Sequence, residues 1–220
     1  MNQPVADRYV PALGYRWLTA LYDPVVRATT RESTFKSALL DQAALKPAER
    51  ILDLACGTAT LTIAAKLREP SADIAGLDGD PEILKPAREK ARDAGAAIHF
   101  DEGYSDRMPY ADASFDKVLC SLFFHHLSRD AKLNTLREIH RVLKPGGELH
   151  VADWGRAANP LMRAAFLGIQ LLDGFPNTGD NVRGLLPQFM LDCGLVEVTE
   201  TRRYATMFGT LSLYRALKRA

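Results

Sequence analysis

Short apolar runs and amphipathic stretches alternate through the middle of the chain. Residues 50–55 (RILDLA) form a run fit for a strand buried on both faces. Residues 60–67 have helical character and stop before Pro70. Residues 73–77 are a second apolar run. Residues 81–94 predict a helix, with Pro81 in its first turn and Gly95 just past its end. Residues 96–100 and 115–120 read as a third and a fourth strand. Residues 129–143 place Leu133, Leu136, Ile139, His140 and Leu143 on one helical face, and Lys144-Pro145-Gly146-Gly147 ends that helix. Residues 148–152 are a fifth strand. Strands alternating with helices predict parallel β-α-β units and a doubly wound sheet.

The two ends break this alternation. Residues 8–44 read as helical, broken near Asp23-Pro24. A helical stretch over 160–192 is followed by two runs, 196–202 and 205–214. The gap between them is too short for a parallel crossover, so this last pair is expected to be antiparallel. Ligands of open α/β sheets sit beyond the carboxyl ends of the strands, near the point where strand order reverses. The residues that follow strands one to five are therefore the ones to inspect.

Composition narrows the function classes. The chain has 220 residues, 47% hydrophobic and 25% charged, enough apolar surface for one sizeable core. Residues 1–110 carry 14 basic and 16 acidic side chains, and 111–220 carry 14 and 11. Neither half is a basic arm, so nucleic acid is not an expected partner. Cys56, Cys120 and Cys193 are odd in number and far apart. That spacing is neither a disulfide framework nor a zinc pattern, and no metal is expected. The N-terminus lacks a basic segment followed by an apolar stretch, and no window of about 18 apolar residues occurs. A cytoplasmic protein with a small-molecule partner is the expectation.

The turn after strand one reads Asp53-Leu54-Ala55-Cys56-Gly57-Thr58-Ala59. Small residues let backbone approach a ligand, and the following helix supplies free N–H groups. An ordinary tight turn would look much the same. Asp78, at the end of strand two in Gly76-Leu77-Asp78-Gly79-Asp80, lies about 20 residues on, where a carboxylate accepts both hydroxyls of a ribose. The rival role is loop solvation or capping, which suits Asp80, just ahead of Pro81, better.

Four segments in this order carry a resemblance: ILDLACGTATLTIA, IAGLDGDPEIL, RMPYADASFDKVLCSLFFHHL and REIHRVLKPGGELHVADW. They resemble class I S-adenosylmethionine-dependent methyltransferases, especially those of ubiquinone and menaquinone biosynthesis. The resemblance is strong over residues 50–154. It implies a Rossmann-like seven-stranded, mostly parallel sheet with an antiparallel last strand, helices on both faces and an N-terminal helical lid. It also implies S-adenosylmethionine as cofactor and S-adenosylhomocysteine as product. Asp53 matches the family's acid; Ala55, Gly57 and Ala59 fall where glycines are usual, and Cys56 lies among them. Two alanines there would present their N–H groups with mostly negative φ. Asp78, followed by Gly79, matches the ribose-binding acid. Tyr104 falls where the family places an acid that reads adenine. Backbone of Tyr104 and Ser105, or the Asp106 carboxylate, would serve instead. Ser121 lies where the chain passes the methionine moiety. Tyr22 matches a segment that covers the cofactor, and Arg27 and Arg31, one turn apart, would neutralise its carboxylate.

Methyl transfer needs position first, and a base only where the acceptor must lose a proton. His125 and His126 follow strand four and Asp153 follows strand five. These are the candidate catalytic or substrate-orienting residues, with packing and turn stabilisation as their rivals. Trp154 would add an apolar wall. Residues 1–45 would form a lid, 50–154 the cofactor-binding core and 155–220 the acceptor region and final strand pair, all in one domain. In the acceptor region Leu161, Met162, Phe166, Ile169, Leu172 and Phe175 suggest an apolar surface, with Asp173, Asn177 and Asp180 as polar contacts. The expected activity is methyl transfer to a small, partly hydrophobic acceptor. Alternatives are a nicotinamide-dependent oxidoreductase on a similar sheet and a non-catalytic module that binds the same cofactor.

Overall fold

The computed structural model describes residues 32–220. The expected lid residues Tyr22, Arg27 and Arg31 lie outside them. Seven strands form one sheet in the order β3-β2-β1-β4-β5-β7-β6. They are β1 (Arg50–Leu54), β2 (Asp73–Asp78), β3 (His99–Glu102), β4 (Phe115–Ser121), β5 (Leu143–Trp154), β6 (Leu195–Thr206) and β7 (Gly209–Lys218). β1 to β5 run parallel, and β7 lies antiparallel between β5 and β6. Strand order reverses between β1 and β4, so their carboxyl ends open the crevice where ligands of such sheets bind.

The central strands are buried on both sides, which explains their continuous apolar runs. On one face, α1 (Glu32–Ala43) and α2 (Thr60–Arg68) bury Phe35, Leu39, Leu61 and Ala65 with Ile51, Ile74 and Trp154. On the other, α4 (Arg129–Val142) buries Leu136, Ile139 and Val142 with Leu52, Val118 and Leu149. Between these two helices in sequence, α3 (Pro81–Asp93) packs Leu84, Ala87 and Ala91, and Asp80 caps it by accepting from Glu82 N–H at 2.9 Å.

Four expectations are corrected or refined by the structure. The third strand starts at His99, not residue 96. Residues 144–147 do not lie outside the fifth strand. They bulge within it, between the pairs Phe115↔Leu143 and Lys117↔Glu148. A side chain on Gly147 would lie 2.9 Å from the Lys144 carbonyl, so only glycine fits that approach. The helical stretch over 160–192 is four short helices: α5 (Pro160–Ala165), α6 (Leu167–Asp173), α7 (Phe175–Arg183) and α8 (Leu186–Asp192). Gly174 at φ +87 and Gly184 at φ +71 break it. The run at 205–214 straddles a hairpin turn, because Thr206 donates to the Gly209 carbonyl at 2.9 Å.

Candidate functional site

The chain leaves β1 through alternating left-handed residues: Ala55 at φ +56, Gly57 at +54 and Ala59 at +62. The expectation of negative φ at the two alanines is overturned. A left-handed alanine costs about 1–2 kcal/mol, and such strain persists only where neighbours enforce it. Here Cys56 N–H donates to the Leu77 carbonyl at 3.0 Å and Ala59 N–H to the Cys56 carbonyl at 2.9 Å. Cys56 is buried, and its thiol lies within 3.0 Å of where a Cβ on Gly76 would stand.

Asp53 stands behind this turn, fully buried, and accepts the Thr62 hydroxyl of α2 at 2.6 Å. Burial drives its carboxyl up to about 6, against the pull of the Thr62 hydrogen bond and of Lys36. A carboxyl raised on folding contributes stability below its unfolded value, near 4, and that contribution fades as pH rises through 6. Replacing Asp53 with Asn should therefore flatten the fall in stability between pH 4 and 6, as read by urea midpoints across that range. An unchanged fall would show that Asp53 stays ionised on folding.

Asp78 ends β2 with its carboxylate facing the β1 turn. One oxygen accepts from Gly57 N–H at 2.9 Å and the other from Asp80 N–H at 3.0 Å. Burial still raises its carboxyl above the ordinary range. Each oxygen keeps acceptor capacity for a further donor. Beside it, a Cβ on Gly79 would stand 3.3 Å from the Tyr104 ring, so that ring covers backbone at the end of β2. Gly103 N–H donates to the Asp78 carbonyl at 3.0 Å and fixes the loop. Tyr104 is exposed, whereas the Ser105 hydroxyl turns away to Thr135 of α4 at 2.8 Å.

Ser121 ends β4, half-buried, opposite Ala152 of β5. Leu122 follows at φ +54, and its N–H donates to the Ala152 carbonyl at 2.8 Å. This left-handed step turns the chain into one 3₁₀ turn, Phe124–His126, over the end of β5. Asp153 organises that turn. One of its oxygens accepts Phe123 and Phe124 N–H at 3.1 and 2.7 Å. The other accepts Trp154 N–H at 2.7 Å and lies 2.7 Å from His125 Nδ1. His125 and Asp153 are both buried. His126 stacks on His125, ring centroids 3.9 Å apart. Burial, His125 and Lys132 hold the His126 imidazole well below its ordinary pKa.

The sequence thus named three residues that the fold brings together: His125, His126 and Asp153. It missed Asn181 of α7, whose amide donates to the Trp154 carbonyl at 3.0 Å and reaches Asp153 at 3.5 Å. It also missed Lys132, buried on α4, whose ammonium donates to the Leu127 and Asn177 carbonyls at 2.8 and 2.5 Å. A lysine four residues before Leu136, on the apolar face, was its only signal. Asp180, expected as an acceptor contact, is instead buried and paired with Arg129. Among the described residues no group of His, Cys, Asp and Glu could hold a metal.

The profile of the methyltransferase domain family matches residues 51–147. A demethylmenaquinone methyltransferase of Deinococcus radiodurans is 36% identical over 172 residues, 76% of this chain and 70% of the relative. The chain belongs to the class I S-adenosylmethionine-dependent methyltransferases. A ubiquinone/menaquinone biosynthesis C-methyltransferase of Ectopseudomonas mendocina is 28% identical over 206 residues, covering 84% of this chain and 78% of the relative. The fold is shared with an S-adenosylmethionine-dependent methyltransferase of Methanosarcina mazei, at TM-score 0.66 and 20% identity over 80% of this chain and 94% of that one. These relatives support neither the oxidoreductase nor the non-catalytic alternative. This methyltransferase uses S-adenosylmethionine, which when bound supplies an electrophilic methyl on sulfur. The acceptor oxygens of Asp78 suit a vicinal diol, and the side-chain-free backbone at Gly57 leaves room beside them. Among the described residues no helix is long and apolar enough to cross a membrane.

Proposed function

We propose that this methyltransferase transfers the methyl group to a ring carbon of a small lipophilic dihydroxy-aromatic acceptor of the quinone-biosynthesis type. The observation that carries the reading is the 36% identity to the relative named demethylmenaquinone methyltransferase. The site chemistry supports it. A ring carbon becomes nucleophilic when a neighbouring hydroxyl is deprotonated or strongly hydrogen-bonded, and an imidazole fixed by a carboxylate suits that task. The Asp153 carboxylate, 2.7 Å from His125 Nδ1, fixes the orientation of that ring. His126 adds a neutral imidazole beside it. Asp153 acts through His125 and not on the acceptor, because backbone N–H groups already fill its oxygens.

In this reading Asp78 holds the ribose and the N–H groups of residues 55–57 lie along the nucleoside. Tyr104 and the Ser105 backbone border the adenine, Ser121 borders the methionine end, and Asp53 anchors the turn from behind. Tyr22, Arg27 and Arg31 would act from the N-terminal segment. The whole chain serves as one domain, with residues 50–154 on the cofactor and 155–220 on the acceptor. Transfer of a ¹³C-methyl to a short-chain demethylnaphthoquinol should give an aryl-methyl carbon resonance. A methoxy resonance as the sole product would overturn carbon methylation.

A further inference from the structure

The first helices after β5, α5 and α6, turn large apolar side chains outward. Among the described side chains of residues 160–175, Pro160, Leu161, Ala164, Leu167, Gly168, Leu171 and, past the Gly174 break, Phe175 are exposed. Leu161 is 72% exposed and Leu171 75%. Among the described side chains of this stretch, none of the outward ones is charged or carries a hydrogen-bonding group. The inward side anchors through Phe166, buried against Trp154, with Ile169 packed beside it, and also holds polar groups. Gln170 is buried and donates to Thr178 at 3.1 Å, but its Oε1 has no partner. Arg163 is half-buried with Nη1 unpartnered. A surface helix facing water carries its polar residues outward. Here the outward side fits an apolar medium. The tip of the β6–β7 hairpin extends the patch: Met207 is 70% exposed, and Phe166 packs against Gly209 beside it. The patch lies at the carboxyl edge of the parallel strands, the same edge as Asp78 and His125.

Charge decides what meets this stripe. Residues 155–184 carry Arg156, Arg163 and Arg183 against two aspartates, and one of these, Asp180, is buried and neutralised by Arg129. Arg156 and Arg183 are exposed, and Arg156 packs over Gly184, next to Arg183. An apolar stripe flanked by arginines is the composition of a helix that lies in the plane of an anionic lipid surface. We infer that residues 160–175 dock this enzyme on anionic bilayers, so that a lipophilic acceptor enters from the membrane. The inference rests on the reading of a lipophilic acceptor given above.

The test is sedimentation of the full chain with phosphatidylcholine vesicles, with and without phosphatidylglycerol. Wild type should pellet with the anionic vesicles, and rising salt should release it. The triple variant Leu161→Ser, Leu171→Ser, Phe175→Ser should bind at least about tenfold more weakly. Arg156→Gln with Arg183→Gln should remove the preference for phosphatidylglycerol. S-adenosylhomocysteine affinity, which needs none of these exposed residues, should stay unchanged and so report folding. Absence of wild-type binding, or equal binding by the triple variant, overturns the inference. So does a dimer in solution that the triple variant dissolves while vesicle binding persists, since the stripe would then cover a second copy. Transfer to a water-soluble short-chain quinol without vesicles reads the acceptor chemistry separately: its failure counts against that chemistry and leaves the docking result standing.

Discussion

Replacing Asp78 with alanine is expected to weaken S-adenosylhomocysteine binding about 100-fold, because the two charge-assisted hydrogen bonds proposed to the ribose diol would disappear together. The substitution also strips acceptors from Gly57 and Asp80 N–H, so some loss of fold stability will accompany it. Asp80→Ala separates the two effects. It removes the cap from α3, costing about 1 kcal/mol of stability, and leaves the β1 turn and Asp78 in place. Titration calorimetry should then find near-normal affinity in Asp80→Ala and a large loss in Asp78→Ala. Equal, small losses in both would remove Asp78 from the cofactor site.

The second large effect is expected at His125. His125→Ala should lower kcat about 100-fold or more with the dissociation constant for S-adenosylhomocysteine unchanged, since the imidazole is proposed to act on the acceptor and not on the cofactor. Asp153 should behave differently. Its carboxylate receives Phe123, Phe124 and Trp154 N–H groups besides His125, so Asp153→Ala leaves buried donors unsatisfied. A stability loss of about 3 kcal/mol or more is expected, with turnover falling as the 3₁₀ turn loosens. Steady-state kinetics together with urea unfolding distinguish the two variants. Full turnover in His125→Ala would mean that positioning alone carries the reaction.

Much of this arrangement was legible in the chain because its causes are local. Continuous apolar runs mark strands buried on both faces, and Pro81 with Gly95 brackets α3. His125 and Asp153 could be named because they follow consecutive strands, β4 and β5, which pair in parallel and bring their carboxyl ends together. What escaped depends on long-range contacts. Nothing in Ala55 or Ala59 announces a left-handed backbone; it is imposed by hydrogen bonds to β2 and across the turn. Asn181 meets Asp153 only because Gly174 and Gly184 break the segment into short helices. The stripe from Leu161 to Phe175 has helical spacing, but periodicity does not tell which face looks outward. Here the buried face is the one that holds Gln170.

Methyl transfer to a lipophilic dihydroxy-aromatic ring, the activity proposed above, can be read by incubating the full chain with methyl-labelled S-adenosylmethionine and a chemically reduced demethylnaphthoquinone. Label should enter the organic phase in step with S-adenosylhomocysteine release, with little label when the quinone is left oxidised. That activity is contradicted if S-adenosylhomocysteine binds tightly while no label leaves the aqueous phase with any reduced naphthoquinone or benzoquinone acceptor.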